Sequence, residues 1–152
     1  MRITEILETG QIIIPLNSNS RDAAIEQLID TMKLSKQKIV FNAVLEREEI
    51  MSTGIGKGVA IPHCKNDACP DFKISLGIAA HGIDFHAPDN QAVRLIFLLV
   101  GPENNPGMHI KYLSRISKLV NNEDIRKALI ECSNAEAALD LIRQYENASL
   151  GA

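Results

Sequence analysis

Six consecutive residues, Leu95-Ile96-Phe97-Leu98-Leu99-Val100, are apolar with no polar interruption. The run is far short of the roughly 20 residues a membrane-spanning helix needs. Flanked by Val93 on one side and by Gly101 and Pro102 on the other, it reads as a strand from Val93 to Val100. A strand that faces water alternates apolar and polar residues; this one does not, so both of its faces must be covered. The rest of the chain has to supply layers for both sides of a sheet.

Helical and strand patterns interleave along the 152 residues. Thr4 to Glu8 is long enough for one helical turn. Gln11 to Leu16 reads as a short strand rich in β-branched Ile12, Ile13 and Ile14, and Pro15 confines it to an edge or an end. Ser18 or Ser20 can cap a helix carrying Ala24, Ile25, Leu28, Ile29 and Met32 at helical spacing. A second helix runs from about Lys36 to Met51 and is expected to bury Ile39, Val40, Ala43, Val44 and Ile50. The glycine-punctuated segment Ser52 to Gly58 follows, then a short strand Val59-Ala60-Ile61 that ends at Pro62. Ile74 to Ala80 reads as another strand. Gly101 to Gly107 is rich in turn formers. A helix from Met108 to Val120 carries Met108, Tyr112, Ile116 and Leu119 on one stripe. Asn122 can cap a short helix to Ile130, and Ser133-Asn134-Ala135-Glu136 reads as a capping box opening a last helix to about Glu146. The interleaving predicts an α/β sandwich in one domain over residues 1–147, with residues 148–152 a frayed tail.

Composition narrows the function. Sixteen Lys and Arg stand against nineteen Asp and Glu, for a net charge of −3. No basic footprint for nucleic acid is present, and aromatic residues are too few, at 4%, for a stacking platform. Arg2, Glu5 and Glu8 interrupt the start of the chain where a signal peptide would be apolar, so a cytoplasmic location without membrane insertion is expected. Cys64 and Cys69 lie near His63, but C-x4-C with no second pair is not a zinc-ligand spacing, and no metal is expected.

The glycines at 54, 56 and 58 follow a helix and lead into a strand. That order is the reverse of a dinucleotide fingerprint, and the Gly-Lys-Ser/Thr ending of a nucleotide P-loop is missing. On their own they suit a tight turn beside a pocket. His63 directly follows Pro62, which holds Ile61 extended, so the imidazole is presented from a stiff segment. A neutral imidazole is a competent nucleophile near neutral pH and can take and release a phosphoryl group. His109 falls at the start of a predicted helix, where unpaired N–H groups favour an anion. Arg47 offers a fork suited to phosphate. Each of the three, taken alone, also fits an ordinary structural or surface role. Ser52 and Thr53 can supply hydroxyls or merely end a helix. His81 and His86 have the context of surface residues.

The stretch Arg47-Glu48-x-x-Met51-Ser52-Thr53-Gly54-Ile55-Gly56-Lys57-Gly58-Val59-Ala60-Ile61-Pro62-His63 resembles the phosphorylation-site motif of enzyme IIA domains of the bacterial sugar phosphotransferase system, of the fructose/mannitol type that includes the nitrogen-regulatory IIA proteins. Asn90 to Val100, Pro102-Glu103-Asn104 and His109-Ile110-x-x-Leu113-x-Arg115-Ile116 are similar to the family's second signature. The resemblance implies a mixed sheet of about five strands flanked by helices on both faces. It implies His63 as phosphoryl acceptor, His109 as partner histidine and Arg47 as the basic residue near the phosphate, with Ser52, Thr53 and Gly54 in support. It implies a phosphoryl donor, HPr or its nitrogen-branch paralogue, and either a IIB domain as recipient or a regulatory protein as target. No cofactor is implied beyond the covalent phosphoryl group. Cys64 departs from the small residue common after the histidine, and Lys57 places a charge where the family commonly has an uncharged residue or histidine. Ile55, Val59 and Met108 are the apolar residues expected to rim the site.

Overall fold

The computed structural model describes residues 1–150; Gly151 and Ala152 lie outside the described residues. The strands are β1 (Ile12–Ile13), β2 (Gly54–Gly56), β3 (Val59–Ala60), β4 (His63–Lys65), β5 (Lys73–Ile83) and β6 (Val93–Gly101). The α-helices are α1 (Arg21–Asp30), α2 (Gln37–Ile50), α3 (Pro106–Val120), α4 (Glu123–Ile130) and α5 (Ala135–Leu150). Short 3-10 turns at Ile3–Glu5 and Thr9–Gln11 precede β1.

One mixed sheet runs in the order β1-β5-β6-β3-β2, with β4 also paired to β6. β5 and β6 are antiparallel, whereas β3 and β4 both run parallel to β6. β3 pairs Val59 with Leu95 and β4 pairs His63 with Leu99, so the two are pieces of one line interrupted at Ile61-Pro62. Pro62 has no N–H to give the ladder. Its carbonyl still accepts from Leu99 N at 3.0 Å, and Ile61 N turns away to Thr53 O at 3.2 Å.

The apolar run behaves as its lack of alternation demands. Leu95, Phe97 and Leu99 join the core that contains Tyr112, Ile116 and Leu119 of α3, Leu129 of α4 and Ile142 of α5. Ile96, Leu98 and Val100 join the opposite core, with Ile25, Leu28 and Ile29 of α1 and Val40 and Val44 of α2. Helices therefore cover both faces of the sheet, which is the expected α/β sandwich. Phe97 is fully buried; truncating such a side chain to alanine typically costs about 3–5 kcal/mol.

Several boundaries differ from expectation. The first strand is two residues long, because the chain leaves the ladder at Pro15 (the Ile14-Pro15 bond is cis) and touches it once more through Leu16 N to Ile78 O at 2.8 Å. Ser20, not Ser18, caps α1, accepting from Ala23 N at 3.1 Å. Ile39 and Ile50 are 50% and 81% exposed, not buried. The buried stripe of α2 is Val40, Val44 and Glu48, at a spacing of four, and Ala43 is half-buried beside it. Asn134 rather than Ser133 caps α5, accepting from Ala137 N at 2.8 Å, and Asn122 caps α4 as expected. α5 continues to Leu150, so positions 148–150 of the expected frayed tail are helical, while its last two lie outside the described residues.

Candidate active site

His63 opens β4 directly beyond the Pro62 break. Its Nδ1 lies 2.8 Å from Ile61 O. A carbonyl can only accept, so Nδ1 carries the proton and donates, which leaves Nε2 with the free lone pair. The ring is half-buried. Burial lowers its pKa from the ordinary histidine value, the Ile61 hydrogen bond opposes this, and the Arg47 charge adds to the lowering while Glu48 counters it. His63 is thus neutral at neutral pH.

His109 stands in the first turn of α3. The helix starts here because Asn105 accepts from Met108 N at 3.2 Å and Pro106 occupies the first helical position, where its missing N–H is no loss. His109 is 3% exposed, and neither ring nitrogen has a hydrogen-bond partner. Its ring centroid lies 5.7 Å from that of His63 and 6.3 Å from that of Phe72. With no hydrogen bond to orient it, the ring is held by packing alone. Burial, then the neighbouring His63 and Lys65, push its pKa down to about 4.

Arg47, in the last turn of α2, completes the set. One guanidinium N–H donates to Met51 O at 3.1 Å. Arg47, His63 and His109 line one cleft of about 520 Å³ between α2, β4 and α3. Glu46, Lys65, Glu103 and the exposed Ile50 and Ile110 also border it. Three sequence-predicted residues from separate parts of the chain are therefore brought together.

Ser52, Thr53 and Gly54 are placed differently: they do not line the cleft, and their donors are engaged elsewhere. Thr53 gives its N–H, at 2.8 Å, and its hydroxyl to the Glu48 carboxylate. Gly54 N donates to Ser52 Oγ at 3.1 Å, and Ser52 Oγ donates to Phe85 O. Gly54 is required by close approach, since a Cβ there would sit 2.8 Å from Ala87 Cβ. Of the expected rim, Val59 is buried in the core, Met108 is half-buried against it, and Ile55 is exposed. Lys57 lies outside the cleft, with Nζ donating to Asn121 Oδ1 at 3.3 Å.

Reading the sequence overlooked Glu48, which is 2% exposed, and the cleft residues Glu46, Lys65, Asn66 and Glu103. A signal for Glu48 was present: it continues the Val40–Val44 spacing by four, which puts a carboxylate on the buried stripe.

Comparison with known proteins agrees with the geometry. The profile of the family described as "Phosphoenolpyruvate-dependent sugar phosphotransferase system, EIIA 2" matches residues 5–145. A Bacillus subtilis protein named "PTS system fructose-specific EIIABC component" is 33% identical over 96% of this chain, which spans only 24% of that protein's length. A "Nitrogen regulatory protein" of Bradyrhizobium diazoefficiens is 35% identical over 93% of this chain and 95% of its own. The crystal structure of the nitrogen regulatory protein IIA-Ntr from Neisseria meningitidis superposes with a TM-score of 0.87 at 31% identity, covering 92% of this chain and 98% of that one. The chain belongs to the EIIA family of the phosphoenolpyruvate-dependent sugar phosphotransferase system.

Proposed function

We propose that this EIIA protein is a phosphocarrier in which His63 Nε2 accepts a phosphoryl group from the phosphohistidine of an HPr-type donor and passes it to a cysteine of a IIB domain. The observation that carries this reading is the Nδ1–H bond to Ile61 O, which leaves Nε2 as the nucleophile in a cleft shared with Arg47 and His109. In the transfer, the Nε2 lone pair forms the new N–P bond as the donor's N–P bond breaks, and the donor imidazole keeps that bond's electron pair. The proton on His63 Nδ1 stays in place against Ile61 O. The phosphorylated ring is then cationic, the form in which imidazole leaves readily when the next acceptor attacks.

The supporting groups fit the charge that moves. Phosphoryl transfer asks mostly for alignment and for donors around the equatorial oxygens. Arg47 supplies a guanidinium fork, and neutral His109 supplies a ring N–H that no protein group uses. An unpartnered buried polar group costs about 1–3 kcal/mol, which contact with a phosphoryl oxygen would remove. No residue in this scheme calls for a metal or organic cofactor, and the expected setting is the cytoplasm; among the described residues no helix is long and apolar enough to cross a membrane.

A second reading is favoured by the Bradyrhizobium and Neisseria relatives, whose names are regulatory. In it the same phosphorylation alters the cleft surface and so governs binding to a protein target. One experiment separates the two. The chain and His63→Ala are incubated with phosphoenolpyruvate, enzyme I and either HPr or its nitrogen-branch paralogue, and IIB domains are then added. Label on the native chain alone that moves to a IIB cysteine supports the carrier. Label that only the nitrogen-branch donor loads, and that no IIB removes, supports the switch. Equal labelling of His63→Ala removes His63 from the mechanism.

A further inference from the structure

Glu48 is a carboxylate held out of water, next in sequence to the cleft residue Arg47 but not itself lining the cleft. It is 2% exposed, and both of its oxygens are occupied by one residue: Oε2 accepts from Thr53 N at 2.8 Å and Oε1 accepts from the Thr53 hydroxyl. Among the described residues it forms no ion pair within 4 Å. Burying an anion without a counter-ion is unfavourable, and two hydrogen bonds offset only part of that cost. A Gln could meet Thr53 through its amide without the cost of burying a charge, so the charge itself calls for an explanation.

The position supplies one. Glu48 adjoins Arg47, and the residue it grips, Thr53, accepts from Ile61 N through its carbonyl. Ile61 O in turn holds His63 Nδ1. The path Glu48–Thr53–Ile61–His63 is thus continuous, and each step is a hydrogen bond. Other charges reach the cleft from every side: Glu46 and Arg47 from α2, Lys65 from β4 and Glu103 from the loop before α3, with neutral His109 on α3. Of these acidic groups only Glu48 is buried, so only its field escapes screening by solvent.

We propose that Glu48 is a positioning residue whose buried negative charge sets how tightly His63 holds its phosphoryl group, keeping the phosphorylated form transferable. A fixed anion near a dianionic phosphoryl group repels it, and the same anion stabilises positive charge on the His63 ring. The repulsion favours handing the group on; the attraction for the cationic ring opposes it, but acts on one positive charge against the two negative charges of the phosphoryl group. Arg47 alone would hold it too well. This rests on the phosphocarrier reading, and it adds a control of transfer equilibrium that the acceptor and its two supporting residues do not provide. The Glu48 charge raises the His63 pKa against the lowering by Arg47, as expected if its field reaches the ring.

The test uses Glu48→Gln. Glutamine keeps both contacts, its carbonyl accepting from Thr53 N and its amide donating to Thr53 Oγ1, and removes the charge. The distribution of phosphoryl groups between the chain and an HPr-type donor, read by phosphate-sensitive gels, should move about tenfold toward the phosphorylated chain. In the absence of any donor, the His63 titration followed by ¹⁵N NMR should move to lower pH. Glu48→Asp, which keeps the charge, should restore both toward native values. A folded Glu48→Gln with neither quantity changed overturns the proposal, and so does an Asp variant that behaves as the Gln variant does. Should Glu48→Gln not fold, Thr53→Val at pH 8 takes its place. Losing the hydroxyl leaves the anion less neutralised, so the equilibrium should move the opposite way, toward the unphosphorylated chain; no movement overturns the proposal. If native His63 takes no phosphoryl group at all, the carrier reading falls by itself, and the titration still decides for or against Glu48.

Discussion

At the scale of single residues, the site is defined by two neutral imidazoles that play unequal parts. His63 has its proton fixed by Ile61 O, whereas His109 is buried with no partner for either nitrogen. A histidine whose folded pKa is depressed binds its proton less well than the unfolded chain does. Stability from His109 is therefore fully present above about pH 6.5 and is lost as the pH falls toward about 4. The full drop between those values is on the order of 3 kcal/mol. Urea midpoints measured from pH 7.5 to 4 should fall more steeply for the native chain than for His109→Gln, and parallel slopes would count against burial as the cause. Arg47→Lys tests the other supporting group. Lysine keeps the charge and loses the fork. Phosphoryl acceptance should slow by about tenfold or more while the His63 titration stays near native; an unchanged rate would show that charge alone suffices. That His63, His109 and Arg47 would share one cleft was legible in the motif, because a pattern of residue types carries chemistry directly. Ser52, Thr53 and Gly54 lie outside the cleft, their donors used by Phe85, Glu48 and Ser52; the first of these partners is 33 residues away in sequence, and such a pairing leaves no mark on a linear pattern.

At the scale of elements, the site is a consequence of how strands and helices stop. β3 and β4 would be one strand along β6 were it not for Pro62, and the break is what presents His63. β6 ends at Gly101, where an added Cβ would lie 2.4 Å from the ring of Phe72. Phe72 in turn packs near His109, whose orientation depends on packing alone. Gly101→Ala must displace the Phe72 ring, at a cost of about 1–3 kcal/mol for an overpacked contact. Transfer should weaken along with thermal stability, and recovery of both in Gly101→Ala combined with Phe72→Leu would confirm the steric cause. Ser20→Ala, remote from the cleft, should lower stability by about 1 kcal/mol through loss of its helix cap and leave transfer alone. The long elements were legible because burial on both faces of β6 and the stripe of α3 repeat over many residues. Of the short ones, β1 and β3 fall inside expected strands but are only two residues long, while β2 and β4 were not foreseen: β2 pairs with β3 and β4 with β6, and no local propensity over two or three residues outweighs such pairing.

At the scale of the molecule, the cleft opens where the layers on the two faces of the sheet meet, with α2 from one layer and α3 from the other as its walls. Each wall ends in an exposed isoleucine, Ile50 at 81% and Ile110 at 65%. Neither contributes to a core, and the expectation that Ile50 was buried failed because α2 turns Val40, Val44 and Glu48 inward instead. An exposed apolar residue is ordinary by itself, but two that flank His63 from opposite walls of the cleft suit contact with the HPr-type donor of the proposed transfer. A transfer complex needs only a modest, transient interface, in which a few apolar residues count heavily. Ile50→Asp and Ile110→Asp should leave the thermal midpoint nearly unchanged, as surface substitutions usually cost no more than about 0.5 kcal/mol. Transfer from the HPr-type donor should instead show a raised KM, with kcat little altered because His63, His109 and Arg47 are untouched. A variant pair that loses kcat at unchanged KM would mean that these side chains shape the cleft rather than the encounter.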